Sequence, residues 1–308
     1  MTGSVGLLSD AAESGVNLVA AIVALLALRT VALGATQRFL YGRPKAEYFS
    51  AAAEGAMIFV AAAVILVVSV ERFVHPRPLE NVGVGLLISL VTAVLNGAVA
   101  AVLIRAGRRH RSITLVADGK HLITDVWTSV GVVVGVGLVA LTGWERLDAI
   151  VAFAVGVNII IIGIGLISES VSGLLDKTLE DEDNQAIVQI LRSHTNEAVT
   201  FHGLQTREAG QEMFMDVHIQ VPDDWTVKQA HDFAHELEDE LVAVLPRLHT
   251  RLHVEPISDP QSYTDIPTAE IPIYEEDSTT GRKPARPSSS RIQLDSAAAP
   301  NTSSITEH

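Results

Sequence analysis

No cysteine occurs anywhere in the 308 residues, which excludes a disulfide framework, a thiolate nucleophile and a cysteine-based zinc finger. Any soft-metal chemistry must therefore use histidine and carboxylate. Charged residues are also scarce, 19% against 48% apolar, and so low a share argues against a purely aqueous fold. The charge that is present is divided unevenly. Residues 1–175 hold 12 Lys and Arg against 11 Asp and Glu, whereas the remaining 133 hold 10 against 25, within a net charge of −14. An acidic balance of this size argues against nucleic acid as a partner, because phosphate neutralisation needs clustered Lys and Arg. The sequence has neither a nucleophile–base constellation nor a phosphate loop, which makes an enzyme the least favoured class.

Crossing about 30 Å of hydrocarbon takes roughly 20 helical residues. Five apolar runs are long enough: Ser4 to Leu28, Tyr48 to Val70, Val82 to Ile104, Ile113 to Leu141 and Leu147 to Ile167. The first lacks a basic start and carries Asp10 and Glu13, so it reads as a span and not as a cleaved signal peptide. The loops after the first and third spans are the richer in Lys and Arg (Arg29, Arg38, Arg43, Lys45; Arg105, Arg108, Arg109, Arg111). They share a side with the chain beyond the fifth span, which places the acidic part in the cytoplasm.

Beyond Asp176 the pattern becomes that of a water-soluble domain. It reads as a helix over Glu182 to Ser193, strands over Val199 to Arg207 and Glu212 to Val221, a helix over Thr226 to Leu245 and a strand over Thr250 to Val254. The expected organisation is a membrane domain over 1–175, a small α+β domain over 176–257, and a disordered tail over 258–308 that is rich in Ser, Thr, Pro and Ala.

An ionisable side chain near the bilayer centre is a functional-site candidate, because burying it there costs at least a few kcal/mol. The first span carries Asp10, Glu13 and Asn17, and the fourth carries Asp118, His121 and Asp125, both at i, i+3 and i+7. Each set falls on one helical face. Packed together, two such helices offer two carboxylates, an imidazole and an amide oxygen to one centre, a ligand set for a divalent transition metal. The competing reading is that these groups pair with one another, or with Lys120, to hold the bundle. Glu54 and Asn96 read as helix-packing or water-cavity groups. In the soluble part, His202, His218, His231, His235, His253 and Glu255 sit on different elements of one small domain, where they could meet at a seam or a dimer contact.

Several separated motifs occur in order: Ser4-Val-Gly-Leu-Leu-Ser-Asp10, Tyr41-Gly-Arg-Pro-Lys45-Ala-Glu47, Ala117-Asp118-x-x-His121-x-x-x-Asp125, Leu147-Asp148-x-x-Val151, Leu174-Leu-Asp176 and His253-Val-Glu-Pro256. In these the chain resembles the cation diffusion facilitator transporters over roughly residues 2 to 257. The resemblance implies an α-helical membrane bundle, here with five spans, followed by a ferredoxin-like, metallochaperone-like cytoplasmic domain. It also implies a homodimer in the cell membrane that exports Zn(II), or in other branches Mn(II), Fe(II), Co(II) or Ni(II), in exchange for protons and without a prosthetic group. On that likeness Glu13, Asn17, His121 and Asp125 take the transport-site positions, with Asp10 and Asp118 in support. His202, His218, His231, His253 and Glu255 match the cytoplasmic metal ligands, which lie by the dimer interface. Lys45 and Asp176 match the pair that links the bundle to the cytoplasmic domain across the dimer.

Four departures from the family pattern follow. Met1 falls just before what is normally the second helix, so either the start is assigned too far downstream or this is a five-span form. Glu13 stands where Asp or His is common and Asn17 where Asp is common, which removes a charge and favours weaker binding or a different ion. Arg43 replaces a histidine of the first cytoplasmic loop, so that peripheral site is expected to be absent. Glu255 stands for Asp. Two rivals remain, a membrane-tethered metal sensor that does not transport and a proton-coupled carrier of an organic solute. The mid-membrane ionisable groups count against the sensor, and the soluble-domain histidines count against the organic carrier.

Overall fold

Each of the five apolar runs folds as a long helix in the computed structural model, which describes residues 5–76, 82–264 and 267–274; over 5–17 and 82–88 it describes only the helical backbone. The helices are α1 (Val5–Ala32), α2 (Ala46–Val74), α3 (Val82–His110), α4 (Ile113–Thr142) and α5 (Arg146–Leu174). Four of them, α2 to α5, are long and apolar enough to cross a bilayer over their described residues, and Leu18–Ala32 of α1 is a shorter apolar stretch. Start and stop signals are local. The Ser112 hydroxyl accepts from the Leu115 amide to open α4, and Gly143 closes it in the left-handed conformation at φ 71°.

Apolar side chains gain little by leaving lipid for a helix interface, so the bundle is held by close backbone approach and by polar contacts. The α2–α5 seam shows the first. A Cβ on Gly55 would stand 3.2 Å from the Gly163 carbonyl oxygen and 2.9 Å from Ile167 Cγ1, so glycine lets the two backbones meet. Ala51, Ile58 and Ala62 of α2, Ala117 of α4 and Ile159 and Leu166 of α5 form the buried seam of the bundle.

The second domain consists of α6 (Asp181–His194), β1 (Thr200–Ala209), β2 (Glu212–Val221), α7 (Val227–Val244) and β3 (Leu248–Pro256), the order expected from the sequence. Asp181, Glu182 and Asp183 begin α6 and Arg192 and His194 end it, each charge matched to the helix dipole. A capping box of Thr226 and Gln229 begins α7. The sheet order is β1-β2-β3, with β1 antiparallel and β3 parallel to β2. Met213, Met215, Val217, Ile219 and Val221 alternate along β2 toward the core shared with Ile187 and Leu191 of α6 and Leu237 and Leu241 of α7. The intervening positions, His218 among them, therefore face the other way.

The chain beyond Ser258 departs from the sequence expectation. A short 3-10 turn forms at Pro260–Tyr263, and residues 267–274 lie along β1. The Ile271 amide donates to the Leu204 carbonyl (2.8 Å), the Gly203 amide to the Glu270 carboxylate (2.7 Å) and the Phe201 amide to the Tyr274 hydroxyl oxygen (3.0 Å). Ile273 is buried in the domain core. The physical reason is an open strand edge: between His202 and Gln205 the β1–β2 register shifts, and the outer side of β1 offers backbone groups that a passing segment can satisfy. Residues 275–308, the rest of the expected tail, lie outside the described residues.

Where the two domains meet, the rings of Tyr41 and Phe214 stand edge to face beside a set of polar contacts. The Lys45 ammonium lies 2.9 Å from Asp176, which also accepts from Arg207 at 3.2 Å. Arg111 bonds Asp183 through both terminal nitrogens. The fully buried Glu47 accepts from the Ser112 hydroxyl (2.5 Å) and from the Gln211 amide (3.1 Å), and the Gly210 amide donates to the Tyr48 hydroxyl oxygen (3.0 Å).

Candidate metal sites

In the membrane domain, α4 presents Asp118, His121 and Asp125 at i, i+3 and i+7. His121 is buried and Asp125 half-buried. On the same helix the Thr124 and Thr128 hydroxyls donate to the His121 and Asp125 carbonyls at 2.6 and 2.8 Å. The α1 helix packs against both α2 and α4, so the element carrying Asp10, Glu13 and Asn17 neighbours the one carrying His121 and Asp125. The side chains of Asp10, Glu13 and Asn17 lie outside the described residues. Lys120 bonds Glu169 of α5 at 3.1 Å.

Glu54 of α2 is 2% exposed and faces Asp118 across the α2–α4 contact. From the sequence it reads as a helix-packing or water-cavity group. Its position against a second carboxylate could not be found from α2 alone, because the pairing depends on how α2 and α4 dock. Glu47, quoted above only as part of a motif, proves to be the buried acceptor of the domain junction.

The soluble domain brings its histidines together through strand register. His202 pairs with His218 across β1–β2, and His218 with His253 across β2–β3, so three imidazoles stand in one row. Adjacent ring centroids are 5.0 Å apart in both pairs. Glu255, two residues past His253 on the same face, is 5% exposed and sits among them. One of its oxygens is 3.0 Å from His218 Nδ1 and 3.4 Å from His253 Nε2, and the other is 3.4 Å from His202 Nε2.

Ligand atoms of His202, His218 and Glu255 all lie within 4.8 Å of one another, close enough for one ion with bonds of about 2 Å after small side-chain movements. Two imidazoles and a carboxylate form a catalytic-type zinc set that leaves a further coordination position open. His253 stands at the rim, its side chain 61% exposed. His231 is not brought into this group. It is exposed on α7 with its ring against His235, centroids 4.5 Å apart. Lys45 and Asp176, expected to link the two domains across a dimer, pair here within a single chain. Hydrogen bonding from Lys45 holds the Asp176 carboxyl below the ordinary carboxylate range, and Arg207 adds to the effect.

The family model for the cation efflux transmembrane domain matches residues 1–175, and that for the cytoplasmic domain of cation efflux proteins matches residues 179–257. The chain belongs to the cation efflux, or cation diffusion facilitator, family. Its members are transporters rather than enzymes. Similar proteins include the uncharacterized transporter sll1263 of Synechocystis sp., 46% identical over 263 residues that cover 85% of each chain. The cation-efflux pump FieF of Klebsiella pneumoniae is 30% identical over 257 residues, 83% of this chain and 85% of that one. A solved metal-bound C-terminal domain of the CzcD transporter from Thermotoga maritima is 21% identical, covering 27% of this chain and 99% of that one, with a TM-score of 0.25.

Proposed function

We propose that this family member exports a divalent transition metal, zinc foremost, from the cytoplasm across the cell membrane as a homodimer, in exchange for protons. The observation that carries this reading is the placement of His121 and Asp125 one turn apart on the α4 face, on a helix packed by α1, which carries Glu13 and Asn17. On this reading those four residues hold the ion in transit. Binding requires His121 to be neutral and the carboxylates ionised, so protons compete with metal at the same atoms. Histidine suits the role because its unperturbed pKa of about 6.5 lies within the physiological range. Rocking of the α1–α4 pair would expose the site to the two sides in turn.

The His202, His218 and Glu255 group, with His253 at its rim, serves a second purpose. Metal bound there tightens the sheet domain and biases the equilibrium between the two facings through the polar junction at Lys45 and Asp176. The richer Lys and Arg loops and the sheet domain share one side of the bundle, which supports a cytoplasmic location for that domain.

The test is metal efflux in everted vesicles. Both His121→Ala and Asp125→Ala are expected to abolish zinc uptake while the protein still inserts and folds. Uptake at the parent rate in either variant would overturn the transport-site assignment.

A further inference from the structure

We propose that Glu54 and Asp118 form a second divalent-cation station, placed between the sheet-domain side of the membrane and the His121–Asp125 pair. Burial gives the first reason. Glu54 is 2% exposed, and neither of its carboxylate oxygens meets a hydrogen-bond donor among the described residues. An ionised carboxylate buried without donors is costly, and a cation beside it would offset that cost.

What Glu54 faces gives the second reason. Its carboxyl lies within hydrogen-bonding reach of the Asp118 carboxyl, and two ionised carboxylates offer each other no donor, only repulsion. The contact is fixed by packing. Ala51 and Ile58, three residues before and four after Glu54 on α2, lie in the same buried cluster as Ala117, the neighbour of Asp118 on α4. The nearby cation Lys120 is directed to Glu169 instead. A divalent ion between the two carboxylates would remove the repulsion and supply the missing partner.

Location gives the third reason. Both α2 and α4 begin at the domain junction, where Glu47 accepts from Ser112 and Thr114. Counting at 1.5 Å per residue, Glu54 lies about 12 Å into α2 and Asp118 about 8 Å into α4, while His121 and Asp125 lie about 12 and 18 Å in. Asp118 lies about one turn nearer the sheet-domain side than His121, and Glu54 is level with His121, so the midpoint of the Glu54–Asp118 pair, about 10 Å in, comes before that of His121 and Asp125, about 15 Å in. Asp118 stands three residues before His121 on α4, about one turn away on the same face, so the two donor sets adjoin. An all-carboxylate pair binds a borderline divalent ion more loosely than a set containing imidazole, and a staging site must release what it captures.

This inference rests on the export reading, and the experiment separates the two. The full chain is reconstituted in liposomes, and the initial zinc uptake rate is measured against zinc concentration for the parent, Glu54→Gln, Glu54→Asp, Asp118→Asn and the Glu54→Gln/Asp118→Asn double variant. Loss of the station should raise the half-saturating zinc concentration roughly tenfold in Glu54→Gln and in Asp118→Asn, with a much smaller change in maximal rate. Because one ion is shared, the double variant should shift no further than the larger single shift. Glu54→Asp keeps the charge and should fall between, and it carries the test together with Asp118→Asn should Glu54→Gln fail to fold. An unchanged half-saturating concentration, as a shared proton or a packing role would give, overturns the station. So do single effects that multiply in the double variant. A parent that moves no divalent metal overturns the export reading itself, and the station with it.

Discussion

Both terminal nitrogens of Arg111 bond the carboxylate of Asp183, at 2.5 and 2.8 Å, and this fork ties the α3–α4 turn of the membrane domain to the first turn of α6. Arg111 holds a left-handed backbone, φ 53°, which a non-glycine residue adopts at some cost. Asp183 is nearly buried while its partner is half-exposed. The charge on Arg111 is held more firmly than usual, first by its bonds to Asp183. Replacing Arg111 with Gln leaves a buried carboxylate short of its partner, with an expected loss of roughly 1–3 kcal/mol. Thermal unfolding of the detergent-solubilised full chain should show the drop, and equal melting of variant and parent would mean the fork adds nothing. Asp183→Asn should cost less, since it leaves no unpaired buried charge.

This fork was not legible in the sequence, and the reason is general to the molecule. Apolar runs as long as a bilayer is thick announce α2 to α5 directly, and the alternation of Phe214, Asp216 and His218 announces β2. Those signals are local. The histidine row depends on register, with His202 opposite His218 and His218 opposite His253, and a slip of one residue would turn one set to the other face. The pairing of Glu54 with Asp118 depends likewise on how two helices dock. The segment ending at Tyr274 was hidden for another reason. Ile271, Ile273 and Tyr274 are three apolar residues in a stretch of low average hydrophobicity, and an average cannot show that they meet an open strand edge.

The sheet-domain cluster predicts an order of effects on metal affinity. Glu255 touches three imidazoles, so Glu255→Gln should weaken zinc binding to the solubilised full chain by about 10- to 100-fold at that site. His218→Ala should do the same, because His218 occupies the centre of the row. His231→Ala should have a smaller effect on the first zinc ion, since His231 lies apart from the group within the chain. Calorimetric titration with zinc checks the order, and a His231→Ala loss equal to that of Glu255→Gln would show that the geometry within one chain is not the binding geometry.

The strap along β1 predicts a stability effect outside both metal sites. Ile273 is 4% exposed and packs in the core beside the α6 and β1 residues. Truncating it to Ala removes buried apolar contact and leaves a cavity, for an expected loss of about 2–3 kcal/mol. Tyr274→Phe, which removes the acceptor for the Phe201 amide and the partner of the Thr195 hydroxyl, should cost about 1–2 kcal/mol. Hydrogen exchange at β1 should rise in both variants, and unchanged protection at β1 would show that the strap rests on the edge without supporting it.

The junction at Asp176 predicts a pH dependence whose sign follows from its cause. Lys45 lowers the proton affinity of the folded-state carboxyl, with Arg207 adding to it, so folding favours the ionised form. The resulting stabilisation is fully present above the unfolded carboxylate value of about 4 and is lost as pH falls through the lower folded value. Lys45→Ala removes the larger cause but leaves Arg207, and for a pair this exposed the cost near neutral pH should not exceed about 1 kcal/mol. The melting difference between parent and variant should therefore be small but measurable near neutrality and shrink toward zero in acid, as Asp176 protonates in both. High salt should shrink it as well, through screening of an exposed pair. A difference independent of both pH and salt would mean that Lys45 stabilises the junction through its aliphatic stem and not through its charge.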